Sequence, residues 1–142
     1  MKKIFINIFS MILAWLLASF VNGSVVLIGT MLIPLPEGVD ISNLEALKQS
    51  ITLFSAKHFI FPLLAHFIAV TIGAYVAARL LGSRTTIYAM GIGLIFFIGG
   101  IINSLMLPIP LWFIVSDLCC AYFPAAYLGL RLAKKCDENS KI

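Results

Sequence analysis

Charged side chains are scarce in this chain. They make up 11% of its 142 residues, whereas an average soluble domain is roughly 25% charged. Hydrophobic residues make up 61%, and the mean hydropathy is +1.06. A water-soluble fold of this size would lack the polar surface needed to cover itself. The composition therefore excludes the soluble classes and predicts a protein embedded in lipid.

Motifs of known catalytic chemistry are also missing from the sequence. It contains no nucleophile elbow, phosphate-binding loop or zincin motif, and Cys119, Cys120 and Cys136 form no C-x-x-C pair. The basic residues lie at the chain ends and in one short connection, not on one contiguous face, so nucleic acid is excluded as a partner. No cofactor is predicted, and enzyme activity has no positive support.

Four long apolar segments each have the length of a membrane-spanning helix, which takes ~20 residues. The first is too long for the ~7–15 apolar residues of a cleaved signal peptide, so it is predicted to be retained. Short connections make the last three segments antiparallel neighbours. The fold class is an all-α membrane protein, a four-transmembrane-helix bundle in one domain over residues 1–142, with helices at about 4–33, 57–81, 86–107 and 111–133.

The segment between the first two spans is different in kind. Apolar residues recur at helical spacing from Ile41 to Phe54, with polar residues between them. Ser42 and Glu45 have the spacing of a capping box. We predict a short amphipathic helix at about residues 42–56. It either lies flat on the outer membrane face or packs as a cap over the bundle.

Basic residues predict the orientation of the bundle. One predicted side carries only Lys48 and the border residue Lys57. The other side carries all the remaining basic residues: Lys2, Lys3, Arg79, Arg84, Arg131, Lys134, Lys135 and Lys141. The positive-inside rule therefore predicts a multi-pass protein of the cell inner membrane with both termini in the cytoplasm.

Small residues recur every four positions on three of the predicted spans. They are Ser10, Ala14 and Ala18 on the first, Ala65, Ala69, Gly73 and Ala77 on the second, and Ala121, Ala125, Gly129 and Ala133 on the fourth. Such residues let helices approach closely in lipid. They indicate packing either within one bundle or between chains. Besides the lipid bilayer, the predicted partners are thus a second copy of the chain or a larger membrane complex.

Polar side chains inside the spans are the candidate functional residues, because they are costly in lipid and usually face the protein interior. They are Asn22, Lys57, His58, His66, Asn103 and Asp117. Positions along the helices predict a polar ladder in the outer half of the bundle, from His58 at the membrane border to His66 nearest the middle. Asp117 is expected to pair with Lys57, His58 or His66, to form a proton or cation site, or to lie near the outer surface and be hydrated.

Two further observations bear on this ladder. Two histidines eight residues apart on a straight helix are ~12 Å apart, which is too far for one ion, so no metal site is predicted. Pro62 and Pro124 each leave one backbone carbonyl inside a span without its usual hydrogen bond. That carbonyl is expected either to mark an ordinary kink or to serve the polar site.

The run from Lys57 to His66, followed by Trp112, Phe113 and Asp117, resembles small bacterial four-helix membrane proteins of uncharacterised activity. The resemblance covers most of the chain and implies no activity. The chain departs from small multidrug transporters, whose first helix carries a glutamate, because its own first span has no acid. It also lacks the pattern of fluoride channels and the cysteine pairs of quinone-linked disulfide enzymes.

Three functions are therefore open from the sequence. The first is a small transporter or channel-like protein whose outward-facing ladder takes a proton, a cation or a small solute. The second is a non-catalytic accessory or assembly subunit of a larger membrane complex. The third is a membrane-embedded enzyme that uses Asp117 and a histidine.

Overall fold

The computed structural model describes residues 2–81 and 85–139, and within these ranges the regular structure is helical, without a strand. Four segments are long and apolar enough to cross a membrane, judged by length and composition: Ile4–Leu32, Ala56–Leu80, Thr85–Met106 and Leu111–Cys136. The predicted helical class and its four apolar spans are confirmed. The connection at 82–84, with Arg84, and the chain end with Lys141 lie outside the described residues.

The helices, in chain order, are α1 (Lys2–Leu32), α2 (Leu44–Ser50), α3 (Ile60–Leu80), α4 (Thr85–Met106), α5 (Leu111–Cys120) and α6 (Phe123–Asn139). Two 3-10 turns, Ile51–Leu53 and Ala56–Phe59, lie between α2 and α3. Pro62 falls in the first turn of α3, where backbone N–H groups have no acceptor within the helix, so the N–H that proline lacks costs no hydrogen bond. It therefore marks the start of α3, and no kink within the helix follows from it.

The fourth predicted helix is two helices, which corrects the sequence prediction. α5 ends at Cys120, a bend occupies Ala121 and Tyr122, and α6 begins at Phe123. Pro124 supplies the physical reason, since a proline ring collides with the carbonyl four residues earlier, that of Cys120. α6 then continues past the predicted end at residue 133.

Residues 34–59, here called the cap segment, contain a shorter α-helix than predicted. α2 begins after Asn43, whose side chain accepts a hydrogen bond from the amide of Ala46 at 2.9 Å. Glu45 instead forms an exposed ion pair with Lys48 at 3.8 Å. The predicted capping box of Ser42 and Glu45 is therefore wrong, because Asn43 already occupies the N-cap position.

Aromatic side chains attach the cap segment to the start of α5. Phe59 is buried, and its ring centroid lies 5.1 Å from that of Phe113 and 5.9 Å from that of Trp112. Ile51 is buried in the same cluster. The cap segment is thus held on the bundle by contacts with α5.

α3 is the central helix of the bundle and packs against α1, α4 and α6. A Cβ at Gly129 of α6 would collide with the Thr71 carbonyl of α3, and a Cβ at Gly73 would lie 2.8 Å from Ala18 of α1. The recurring alanines are buried within the single chain: Ala14, Ala18, Ala65, Ala69, Ala77, Ala121, Ala125 and Ala133. Close backbone approach of this kind holds helices together in lipid, where burial of apolar surface gives no driving force.

Candidate functional site

A buried aspartate and a histidine meet between α5 and α3. Asp117 is only 3% exposed. Its Oδ1 lies 2.7 Å from Nδ1 of His66. This contact is one of the three pairings that the sequence allowed for Asp117, and it leaves the carboxylate neither hydrated nor alone.

Tyr122, which sequence reasoning missed, completes the group. Its hydroxyl donates a hydrogen bond to Oδ2 of Asp117 and lies 3.2 Å from Nδ1 of His66. On an uninterrupted helix, residues five apart lie ~140° apart around the axis, so Tyr122 would not meet Asp117. The bend between α5 and α6 makes the contact possible. Pro124 signals that bend in the sequence, but it does not indicate which way Tyr122 turns.

α4 provides the space in which the Tyr122 ring lies. A Cβ at Gly100 would collide with the tyrosine hydroxyl and lie 2.7 Å from Cζ. The ring of Phe97 meets that of Tyr122 edge-on, with centroids 5.9 Å apart. Tyr122 is 1% exposed and is therefore fixed between α4 and the imidazole of His66.

These contacts restrict where protons lie. Because Tyr122 donates to Oδ2, the short contact between Oδ1 of Asp117 and Nδ1 of His66 requires one proton between those two atoms. With that proton on Nδ1, the carboxylate accepts two hydrogen bonds, which is how a buried charge is made tolerable. Nε2 of His66 has no partner among the described residues, and in the neutral ring it carries the lone pair.

A cavity of about 200 Å³ lies beside His66. Its polar lining residues are Asn22 of α1, Asn103 of α4, His66 and Tyr122, and Trp15 and Phe96 contribute aromatic walls. Oδ1 of Asn22 is buried and has no hydrogen-bond partner in the described part of the chain. An unsatisfied buried group of this kind costs about 1–3 kcal/mol.

His58 lies outside this cavity. Its Nδ1 accepts a hydrogen bond from the amide of Ser55 at 3.1 Å, so Nε2 carries the proton and donates to the carbonyl of Pro34 at 3.2 Å. The imidazole thus joins the chain after α1 to the start of α3. Lys57, next to it, is exposed, and neither side chain is a partner of Asp117 in the structure.

The predicted ladder is therefore not continuous. Asn22, Asn103 and His66 share one cavity, Asp117 lies behind the imidazole, and His58 and Lys57 belong to the cap segment. The 3-10 turn Ala56–Phe59 is the physical reason. It advances ~120° per residue instead of the ~100° of an α-helix, so the face predicted to join the two histidines is interrupted between them.

A second cavity, of about 220 Å³, lies beneath the cap segment. Its lining is almost wholly apolar and includes Val26, Ile33, Leu47, Phe54 and Phe61. Among the described lining residues His58 is the only titratable one, and both of its ring nitrogens already have backbone partners. This cavity therefore offers little polar chemistry.

The arrangement at His66 can bind and exchange protons. A carboxylate that holds one nitrogen of an imidazole leaves the other as a proton acceptor or a hydrogen-bond acceptor. The described lining residues include no serine, threonine or cysteine that the pair could activate. Among the described residues no three histidine, cysteine, aspartate or glutamate side chains cluster as metal ligands. Compared with protein families, curated proteins and solved structures, the chain matches none.

Proposed function

We propose that this protein is a small transporter or channel-like protein of the cell inner membrane, which binds a proton or a small polar solute in the cavity beside His66. One observation carries the proposal. Asp117 and Tyr122 hold the imidazole by Nδ1, which leaves Nε2 to a cavity that Asn22 and Asn103 also line.

The depth of the site supports transport over a purely structural pairing. His66 lies near the middle of the apolar segment Ala56–Leu80, and Tyr122 lies near the middle of Leu111–Cys136. Ionisable groups at such positions are costly in a bilayer, and apolar residues of similar size would pack at least as well. A solute that crosses the membrane, however, needs polar partners at this depth.

The charges at the helix ends support the orientation. Arg131, Lys134 and Lys135 lie along the last turns of α6, at the end of the bundle opposite the cap segment. By the positive-inside rule that end faces the cytoplasm, as do both termini. The cap segment then faces outward. Asn103, near the end of α4 that leads toward α5, lines the cavity.

Proteoliposomes with an entrapped pH dye test the proposal. Potassium and valinomycin clamp the membrane potential, and a pH step is imposed. The luminal pH is then followed with and without external guanidinium, which serves as the probe for a small polar solute. Wild-type protein is expected to change the luminal pH faster than protein-free liposomes in at least one of these conditions. Asp117→Asn is expected to fall to the protein-free rate, because it removes the charge that orients His66. Asp40→Asn, in the exposed cap segment, is the matched control and keeps the wild-type rate.

Two outcomes overturn the proposal. The first is a folded, monodisperse Asp117→Asn protein that retains the wild-type rate. The second is wild-type protein that never exceeds protein-free liposomes. If that inactive protein also co-purifies with fixed amounts of other membrane proteins, the accessory-subunit function replaces the transporter.

A further inference from the structure

We propose that the cavity beside His66 takes a small monovalent cation bearing N–H donors, and that this cation and a proton on Nε2 of His66 exclude each other. The inference rests on the proposed function because it concerns the same cavity. It adds the chemical class of the solute and the rule by which the solute exchanges with protons.

The net charge of the site is the first step. With the shared proton on Nδ1 and none on Nε2, His66 is neutral and Asp117 is ionised, so the group carries one negative charge. The groups that face the imidazole are Asp117 from α5, Tyr122 from the bend, and the uncharged Asn22 and Asn103 from α1 and α4. No lining residue among them supplies a compensating positive charge. A single uncompensated charge in a membrane span is costly, so the cavity favours a positive occupant.

The hydrogen-bonding atoms give the second step. Nε2 of His66 has no partner among the described residues, and in the neutral ring it is an acceptor. A cation without N–H groups would leave it unsatisfied, whereas an ammonium or guanidinium group donates to it and supplies the missing charge.

The walls and the volume give the third step. Trp15 and Phe96 line the cavity, and aromatic side chains attract cations. The volume of about 200 Å³ is below the ~300–1,000 Å³ typical of sites for drug-sized ligands. The expected occupant is therefore a small organic cation.

Mutual exclusion follows from charge. A proton on Nε2 makes an imidazolium–carboxylate pair with no net charge and removes the lone pair that the cation needs. A cation beside neutral His66 also gives no net charge. Both together leave one positive charge in the membrane interior, which is costly. When the cation enters, the N–H bond at Nε2 therefore breaks, its electron pair stays on nitrogen, and the proton leaves to water.

Titration of the purified full-length protein in detergent with guanidinium chloride, at millimolar concentrations and in weak buffer with a pH indicator, tests the inference. Guanidinium stays charged and carries N–H donors throughout the useful pH range. Binding is expected to release close to one proton per cation when His66 starts protonated. In that range the apparent Kd is expected to rise about tenfold per pH unit on acidification, as reciprocal linkage requires.

Matched ligands and variants test which groups of the ligand and of the protein are responsible for binding and for proton release. Tetramethylammonium has the same charge without N–H donors and is expected to bind at least about tenfold more weakly than guanidinium, the factor for one lost hydrogen bond of ~1.4 kcal/mol. His66→Gln is expected to abolish proton release, whereas His58→Gln, outside the cavity, keeps it.

Three results overturn the inference: guanidinium binding without proton release, equal affinity for tetramethylammonium, or no guanidinium binding by folded wild-type protein. The proteoliposome assay separates these failures from failure of the proposed function. If proton flux depends on Asp117 but guanidinium and protons do not compete, the proposed transporter function is supported and this class of solute is wrong. If they compete in detergent but liposomes show no flux, the binding site is supported and the transport function is wrong.

Discussion

The two cavities of this molecule are nearly equal in size, at about 220 and about 200 Å³, but opposite in chemistry. Beneath the cap segment, His58 uses both ring nitrogens on backbone partners, Ser55 and Pro34. In the middle of the bundle, His66 is held through Nδ1 alone. A histidine near a membrane span is thus a candidate site only where other side chains fix its ring and leave one nitrogen unused.

The two aspartates that flank these histidines in the chain differ in the same way. Asp40, in the cap segment, is exposed and accepts a hydrogen bond from the amide of Ser42 at 2.8 Å. Asp117 is almost fully buried and depends on His66 and Tyr122. Substitutions that remove these groups are therefore expected to have very unequal effects.

Removal of His66 is expected to cause the largest loss. His66→Leu leaves the Asp117 carboxylate buried without its main partner, which costs about 3–5 kcal/mol in the free energy of unfolding. His66→Leu/Asp117→Leu is expected to regain part of that loss, since an apolar pair of similar volume packs without an unpaired charge but leaves the Tyr122 hydroxyl without its acceptor. Unfolding in mixed detergent micelles, followed by circular dichroism, measures both. A double variant no more stable than His66→Leu would contradict this account.

Filling the space at Gly100 is the next largest perturbation. Gly100→Ala places a methyl group against the Tyr122 hydroxyl and ring, so Tyr122 must move away from Asp117, at about 1–3 kcal/mol. Gly99→Ala is the matched control because a Cβ at Gly99 meets nothing within 4 Å. The same unfolding assay is expected to leave Gly99→Ala within about 0.5 kcal/mol of wild type. Equal effects at the two glycines would argue against the tight fit of Tyr122.

Removal of the His58 hydrogen bonds is expected to cost less. His58→Phe keeps an aromatic ring beside Phe54 but loses the bonds to Ser55 and Pro34, at about 1 kcal/mol net. Faster amide hydrogen exchange in the cap segment measures the loosened attachment. Proton release at His66 stays unchanged in this variant. A loss of stability as large as that of His66→Leu would remove the distinction between the two histidines.

The smallest effect concerns Asp40 and depends on pH. The amide of Ser42, and then its hydroxyl, hold the pKa of Asp40 below the ordinary value of 3.8. Because the folded pKa lies below the unfolded one, the stabilisation is present above the unfolded pKa and is lost as the pH falls through the folded pKa. Carboxyl carbon NMR is expected to give a titration midpoint below 3.8, in a resonance that Asp40→Asn removes. A midpoint at or above that value would show that Ser42 does not bind the carboxylate in solution.

Much of the architecture could be predicted because it depends on local composition. The length of the apolar segments predicts the four spans, and the small residues at every fourth position predict the close helix contacts that α3 makes. The contact between His66 and Asp117 was among the predicted pairings because α-helical periodicity holds within α3 and α5. These features require no knowledge of where one helix stops and the next begins.

The rest depended on irregular backbone, which sequence periodicity does not describe. The 3-10 turn before α3 took His58 away from the face of His66, and the bend at Ala121–Tyr122 brought Tyr122 to Asp117. Each of these outcomes depends on the relative angle of two helices, for which a single sequence has no direct signal.

The break between α5 and α6 has a mechanical consequence. Asp117 belongs to the last full turn of α5, whereas Tyr122 lies in the bend that leads into α6. Asp117 and Tyr122 therefore lie on the two sides of one helix break, joined by a hydrogen bond. The angle between α5 and α6 sets the distance between the phenol and the carboxylate, so the position of the His66 imidazole depends on the geometry of this break.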